Sequence, residues 1–322
     1  MPAESLPDRV THVAAALAAL VSGGSLDLPL PGSGETLRRW RALVALGADD
    51  LCVARLAEAH LDALAILAEM GGPHPPPGSR WGVWAARPPG APVTARPVQG
   101  GFLLEGTKPW CSGARACTHA LVTADAPDGY RLLAVDLASA RPLPGTWAAV
   151  GMSGSDTLDV DLTGVLGSPV GGPGAYLDRP GFWHGAIAVA ACWHGGAVGA
   201  GRTLLAAAGR RREPGPYLLA HLGAVDAALS AVDVALREAA DAVDADPLAD
   251  QQRRAARVRA QCERAATEVL DRVGRATGAG PLCQDAEHAR RAADLPVYLR
   301  QSHAEADLAG LGALVLERGP DW

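Results

Sequence analysis

The first 70 residues show the apolar periodicity of amphipathic helices. Apolar residues recur at spacings of three and four from Leu37 to Val44 and again from Leu51 to Leu67. Gly47 is predicted to separate two of these helices. A run of glycine and proline at 71–78 follows, and it forbids a continuing helix because proline lacks an amide donor. This run is the predicted end of an N-terminal helical domain, residues 1–78.

Residues 79–170 change to short β-prone runs separated by turn residues. Representative runs are 101–104, 120–123, 131–135 and 158–162, and their spacing predicts an antiparallel sandwich or barrel. From 171 to 322 long helical patterns return, predicted over 186–208, 217–243, 249–277 and 285–316. The order of helices, β-domain and four-helix bundle predicts an α+β multi-domain fold. It excludes a Rossmann fold, in which strands and helices alternate.

Composition narrows the function classes. The chain has 322 residues, 48% hydrophobic and 20% charged, which is typical of globular proteins. A net charge of -6 with dispersed basic residues argues against nucleic acid or a membrane surface as a partner and favours a small-molecule substrate. Six scattered cysteines without a CxxC pair indicate neither a disulfide framework nor a zinc knuckle, which fits a reducing cytoplasm. We also expect no apolar run of the length that spans a bilayer.

Several familiar motifs are out of context. The glycine-rich stretch 195–201 lies inside a helical pattern with no strand before it, so it predicts close helix packing rather than a phosphate-binding loop. Residues 151–155 lack the spacing of a serine-hydrolase elbow. Glu58, His60 and Asp62 alternate along a helix and therefore point to different faces, so we interpret them as surface or interhelix polar groups rather than metal ligands.

Two strings in the β-prone region are more specific. Residues 100–113 read GGFLLEGTKPWCSG and residues 151–157 read GMSGSDT. Both resemble signature strings of the acyl-CoA dehydrogenase family, and the resemblance covers about residues 54–311. It implies a helical domain, a β-domain and a C-terminal four-helix bundle, with FAD held between the last two and across a subunit interface. It also implies a homodimer or homotetramer and an electron acceptor such as an electron-transfer flavoprotein.

The first string supplies the cofactor contacts that the resemblance implies for the flavin ring. Trp110 offers a wide apolar face to cover the ring, and the Ser112 hydroxyl can donate to the nitrogen that accepts hydride, with Cys111 between them. In the alternative interpretation Trp110 fills the core and Ser112 caps a turn.

Four further residues match cofactor positions of the family. Arg211 aligns with its phosphate-binding arginine, whose planar fork suits a diphosphate. Gly278 and Gly280 align with the segment that lets backbone approach the adenosine half, although the family's glutamine position falls near Gly274. Ser302 stands where the family has a threonine after its catalytic glutamate.

The catalytic base is the main departure from the family. The usual glutamate position holds Arg300, and a guanidinium cannot accept a proton at neutral pH. Three residues are candidates instead. His184 begins the first bundle helix, His303 lies four residues before Asp307 and could be oriented by it, and Glu305 is a nearby carboxylate.

The resemblance predicts an FAD-dependent acyl-CoA dehydrogenase-like oxidoreductase that removes a proton and a hydride from an acyl thioester or related substrate. Two alternatives stay open. One is a flavin-dependent monooxygenase of the same fold, which needs no carboxylate at position 300. The other is a non-catalytic, flavin-free scaffold or acyl-CoA-binding relative, a reading motivated by the shortened front domain and the replaced glutamate.

Overall fold

A computed structural model describes residues 5–87, 90 and 92–321. The helices are α1 (Leu6–Ser22), α2 (Thr36–Asp49), α3 (Leu51–Met70), α4 (Ala175–Asp178), α5 (Gly181–Gly209), α6 (Pro216–Ala245), α7 (Gln252–Thr277), α8 (Gly280–Gln284), α9 (Ala286–Tyr298) and α10 (Glu305–Arg318). The strands are β1 (Trp81–Trp84), β2 (Thr94–Val98), β3 (Gly101–Glu105), β4 (Thr107–Cys111), β5 (His119–Ala126), β6 (Gly129–Asp136), β7 (Arg141–Leu143), β8 (Leu158–Asp161) and β9 (Leu166–Val170).

Internal contacts divide the chain into two compact units. The β unit comprises residues 1–28, 55–149 and 153–182, and the helical unit comprises 29–54, 150–152 and 183–322. The β unit therefore includes α1 and most of α3 in addition to the strands. The three-domain division at 78 and 170 stays a prediction.

The β unit is built on two sheets. The larger has the strand order β1-β5-β2-β3-β9-β6, and β5 also pairs with β6, so the sheet closes on itself as a barrel. The smaller sheet has the order β4-β8-β7. The predicted β architecture is confirmed, but the expectation of purely antiparallel pairing is wrong, because β5 runs parallel to both β1 and β2. The segments that connect these parallel neighbours are long enough for such a crossover.

Successive side chains of a strand point to opposite faces of the sheet, so the strands contribute to two hydrophobic clusters of the β unit. Ala120 and Val122 join a cluster inside the sheets, whereas Leu121 between them joins a second cluster. In that second cluster Ile66 and Leu67 of α3 cover the outer face of the barrel. Both faces of β5 are therefore covered, which explains why residues 120–124 are buried without interruption and why the strand is apolar on both faces.

The glycines of α5 permit close helix packing in the helical unit, as the sequence predicts. A Cβ atom added at Gly195 would lie 2.3 Å from the Val44 carbonyl oxygen of α2. A Cβ at Gly47 would likewise lie 2.5 Å from the Cys192 carbonyl oxygen. Side chains larger than hydrogen cannot be accommodated at these contacts without moving a helix backbone.

Gly195→Ala is therefore expected to lower the free energy of unfolding by about 2 kcal/mol, measured by urea denaturation. The matched control is Gly223→Ala on α6, where an added Cβ meets nothing within 4 Å. Alanine is the better helix former, so the control is expected to raise stability by about 0.5–1 kcal/mol. Equal effects of the two substitutions would contradict the packing explanation.

The single helix predicted over 285–316 is wrong. After α8 the chain forms α9, a short 3-10 turn at Leu299–Gln301, and then α10, which begins only at Glu305. Ala304 before it has a left-handed φ of 48°. Asp307 explains the restart, because its carboxylate in the first turn of α10 accepts the backbone N–H of His303 at 3.0 Å.

Among the described residues, one helix meets the length and hydropathy of a membrane span, which corrects the expectation that the chain has no such stretch. An 18-residue window of α6 has a mean hydropathy of 1.5, and 17% of that window is buried. Its alanine content explains the value, since alanine raises hydropathy while adding little buried area. Its buried residues, among them Val225, Val232 and Leu236, lie on one face of the helix.

Candidate functional site

Trp110 is turned out of the β unit by an irregularity in β4. The pairing of β4 with β8 shifts register between Lys108 and Cys111, and Trp110 has a left-handed φ of 58°. In a regular strand Trp110 would face the same side as the buried Lys108. The irregularity instead leaves Trp110 54% exposed. A bulky residue in this conformation is unfavourable by about 1–2 kcal/mol, and such strain concentrates at functional sites.

Ser112 lies at the end of a chain of three hydroxyl groups in the β unit. Ser155 Oγ lies 2.8 Å from Thr157 Oγ1, which in turn donates to Ser112 Oγ at 3.0 Å. The Ser112 carbonyl oxygen accepts from Trp84 Nε1 at 3.0 Å, which fixes the backbone. Within the described part of the chain, no acceptor is found for the Ser112 hydroxyl proton. The hydroxyl chain therefore leaves that proton for a ligand.

The loop that carries the last two hydroxyls is fixed to the end of β4. The backbone N–H of Gly113 donates to the Ser155 carbonyl oxygen at 2.8 Å. Asp156, with a left-handed φ of 48°, accepts from Arg115 Nε at 2.9 Å and from Arg115 Nη2 at 2.5 Å. This forked pairing raises the pKa of the Arg115 guanidinium. The two signature strings thus meet in the β unit at Ser112 and Thr157.

The start of the second string has a packing role in the helical unit. A Cβ atom on Gly151 would lie 2.1 Å from the Ala293 carbonyl oxygen of α9, so only glycine fits. The next residue, Met152, has a left-handed φ of 56°, and its N–H donates to Asp294 Oδ1 at 2.5 Å. Gly151 and Met152 are therefore explained by α9 without a cofactor.

Cys111 lies in the core. Its side chain is fully buried and its thiol contacts the Lys108 carbonyl oxygen at 3.2 Å. Burial raises the pKa of the Cys111 thiol well above its ordinary value, so the group stays protonated and unreactive. Of the predicted cofactor contacts at 110–112, Cys111 can offer only backbone atoms.

In the helical unit, α7 holds the residues at the predicted base position. Arg300 forms an ion pair with Glu263, whose other oxygen accepts from Ser302 Oγ at 2.8 Å. One turn earlier, Arg259 Nη2 donates to the Gln301 carbonyl oxygen at 2.9 Å. Arg300 therefore neutralises a carboxylate of α7, and the hydroxyl of Ser302, a predicted cofactor contact, is already engaged with Glu263.

His303 and Asp307 form the contact that their spacing predicts. His303 Nδ1 lies 3.3 Å from Asp307 Oδ1, and the imidazole is 78% exposed. The predicted reason, a shared face of one helix, is wrong, because His303 precedes α10 and Asp307 lies in its first turn. The carboxylate favours the tautomer with a proton on Nδ1 and leaves the Nε2 lone pair facing outward as a proton acceptor.

The other predicted residues lie in varied settings. His184 is buried in the first turns of α5, and Glu305 is exposed in the first turn of α10. Arg211 is exposed just after α5. Gly278 and Gly280 are exposed after α7, and Gly278 has a left-handed φ of 66° that ends the helix. The roles proposed for these five residues stay predictions.

Sequence reasoning missed Glu263, Thr157 and Lys108. Glu263 and Arg259 are four apart on α7, so their shared face could be predicted, but not their contact with the segment at 299–302. Thr157 and Lys108 both lie in the quoted strings. Lys108 could have been singled out because it is the one lysine in the sequence.

The fold was compared with known proteins. No protein-family model and no curated protein sequence matches the chain. KijD3, solved with FMN and a dTDP-linked amino-keto sugar, is 20% identical over 98% of this chain and 93% of that chain, with a TM-score of 0.79. TdsC from a Paenibacillus species, solved with FMN and indole, is 18% identical over 97% of each chain, with a TM-score of 0.75.

A third solved structure is glutaryl-CoA dehydrogenase from Mycobacterium smegmatis. It is 16% identical over 97% of this chain and 96% of that chain, with a TM-score of 0.77. At these identities the comparison concerns architecture. The resemblance found in the two strings is confirmed at that level: the chain has the acyl-CoA dehydrogenase fold over nearly its whole length.

Proposed function

We propose that this protein is a flavin-dependent oxidoreductase whose β unit contacts the isoalloxazine ring through Trp110 and Ser112. The observation that carries the proposal is the pairing of a strained, outward-turned indole with a neighbouring hydroxyl whose proton is unused. An indole face and a single hydrogen-bond donor are the features that an aromatic ring with an acceptor nitrogen requires. The residues present therefore fit the ring of a flavin.

The ring is common to FAD and FMN. The sequence resemblance favours FAD, with Arg211, Gly278 and Gly280 as contacts to its phosphate and adenosine parts. KijD3 and TdsC were both solved with FMN, which supports testing the shorter cofactor as well. When bound, a flavin would supply two-electron redox chemistry that the side chains of the protein lack.

The helical unit favours oxygen-dependent chemistry over α,β-dehydrogenation of an acyl thioester. Arg300 replaces the expected glutamate, and the carboxylate it pairs with, Glu263, is occupied by two donors. His303, oriented by Asp307, has an outward Nε2 that can take a proton from a substrate hydroxyl, thiol or amine. TdsC, described as a dibenzothiophene monooxygenase, shares the fold, which adds support. We propose a small organic molecule as the substrate.

The two chemistries are separated by one pair of measurements on the flavin-loaded protein. Under anaerobic conditions, butyryl-CoA is expected to leave the flavin absorbance unchanged, because no carboxylate stands at position 300. After photoreduction and mixing with aerated buffer, the flavin band is expected to recover rapidly. Stoichiometric bleaching by butyryl-CoA would overturn the oxygen-dependent proposal and restore the acyl-CoA dehydrogenase prediction.

A further inference from the structure

The sequence contains a single lysine among 29 basic Lys and Arg residues. Each of the other 28 holds arginine, including the exposed ion pairs of Arg202, Arg237 and Arg275. Lysine differs from arginine because its amine can lose its proton and act as a nucleophile within the biological pH range. The only position that retains lysine is Lys108, which the proposed flavin contacts do not use.

Lys108 lies inside the β unit and is only 3% exposed. Its Nζ donates to the Thr123 carbonyl oxygen and to Thr123 Oγ1, both at 2.8 Å. The Tyr130 hydroxyl also forms a hydrogen bond with the Thr123 side chain. The amine is therefore held in one place by two hydrogen bonds to β5.

A small open crevice lies beside Lys108. Arg87, Thr123, Asp125 and Tyr130 line it together with Lys108. The Arg87 guanidinium pairs with Asp125 at 2.8 Å and lies 5.1 Å from the centre of the Tyr130 ring. A guanidinium carries five N–H groups, so donors for an additional anion remain at the crevice. Little of Lys108 is exposed, and only a small molecule could reach it.

The amine is also activated. Burial lowers the pKa of Lys108 from 10.5 to about 8, partly opposed by the nearby Cys111 and Asp125 and reinforced by Arg87. The neutral, nucleophilic form is thus well populated near pH 8. A free lysine would be almost entirely protonated at this pH.

We propose that Lys108 is a carbamylation site for carbon dioxide, a small uncharged electrophile. The Nζ lone pair attacks the carbon atom, an N–C bond forms, and the electron pair of one C=O π bond moves to oxygen. The nitrogen then releases one proton to water, which leaves a carbamate anion. Nζ keeps one N–H for the Thr123 carbonyl oxygen, while the Thr123 hydroxyl and the Arg87 guanidinium, which line the same crevice, would serve as donors to the new oxygens.

The test uses the full chain without flavin in 13C-bicarbonate at pH 8. The carbamate is trapped as its ethyl ester and located by peptide mass spectrometry. With one lysine, the only other amine is the N-terminal α-amino group, which serves as the internal reference. Lys108→Arg, which retains a cation but no nucleophilic amine, is the control and is expected to lose the internal label only.

A second comparison does not depend on that variant folding. The wild-type chain unfolded in urea should label at Lys108 roughly 100-fold less than the folded chain at pH 8, because its amine returns to an ordinary pKa. Internal label that rises with bicarbonate and falls on unfolding supports the proposal. Label confined to the N-terminal amine of the folded protein, or equal in the folded and unfolded chains, overturns it.

Discussion

Raising the pH from 8 to 10.5 is expected to stabilise the wild-type protein by about 3 kcal/mol relative to a Lys108→Met variant. The folded protein releases the Lys108 proton near pH 8, whereas the unfolded chain holds it to about 10.5. Between these values the unfolded state binds more protons, so folding is favoured as the pH rises. The measurement is urea denaturation of both proteins across this range.

The comparison with Lys108→Met cancels the contributions of titrating groups that do not interact with Lys108, because both proteins share them. Tyr130, whose pKa is raised by burial, is one such shared group. The variant also loses the hydrogen bonds to Thr123, which shifts its stability by an amount that does not depend on pH. Parallel stability curves for the two proteins would show that Lys108 keeps its ordinary pKa in the fold.

Trp110→Ala is expected to weaken flavin binding roughly 10- to 100-fold, from the 1–3 kcal/mol typical of stacking between an aromatic side chain and a planar heterocycle. The indole is 54% exposed and belongs to neither core cluster of the β unit, so its removal should leave the fold intact. Dissociation constants are measured by quenching of flavin fluorescence, with FAD and with FMN.

Two variants control this experiment. Tyr217→Ala removes an aromatic side chain that is 85% exposed on α6, and it is expected to leave flavin affinity unchanged. Trp110→Phe retains an aromatic face at the strained position and should recover part of the affinity. If Trp110→Ala and Tyr217→Ala bind flavin as tightly as the wild type, the ring is held elsewhere.

The order of elements could be predicted from sequence because it depends on local periodicity. Spacings of three and four in α3 reflect the face that this helix buries, and the short apolar run of β5 reflects a strand buried on both faces. The close packing at Gly195 could also be predicted, since a helical pattern without a preceding strand leaves packing as the main use of a glycine. These features need no knowledge of distant contacts. The prediction that Gly47 separates two helices is wrong, because Gly47 lies inside α2 and contacts the Cys192 backbone of α5.

The sequence predictions that are wrong or incomplete all concern contacts between residues outside the local pattern. The break before α10 depends on the Asp307 carboxylate, which accepts the backbone N–H of His303. This hydrogen bond competes with the continuous helix that the apolar pattern predicts. The engagement of Arg300 depends on Glu263, 37 residues away on another helix. The parallel pairing of β5 with β1 likewise cannot be predicted from the residue pattern within either strand.

At the candidate site, the two motif strings predict Trp110 and Ser112 as site residues. Their backbone conformations are visible only in the structure. Sequence order places Trp110 on a strand, where alternation would bury it beside Lys108. The register shift in β4 reverses that expectation. The hydroxyl chain to Thr157 depends on a loop 45 residues later and could not be derived from spacing.

The most direct test of flavin binding is the absorption spectrum of the purified protein after incubation with FAD or FMN and removal of the excess. We expect one flavin per chain, with an absorption band shifted from that of the free cofactor. Ser112→Ala is also expected to retain flavin but to alter the spectrum and lower the reduction potential, because the ring loses a hydrogen-bond donor. A protein that retains neither FAD nor FMN would not be a flavin-dependent oxidoreductase, and a flavin-free scaffold would then be favoured.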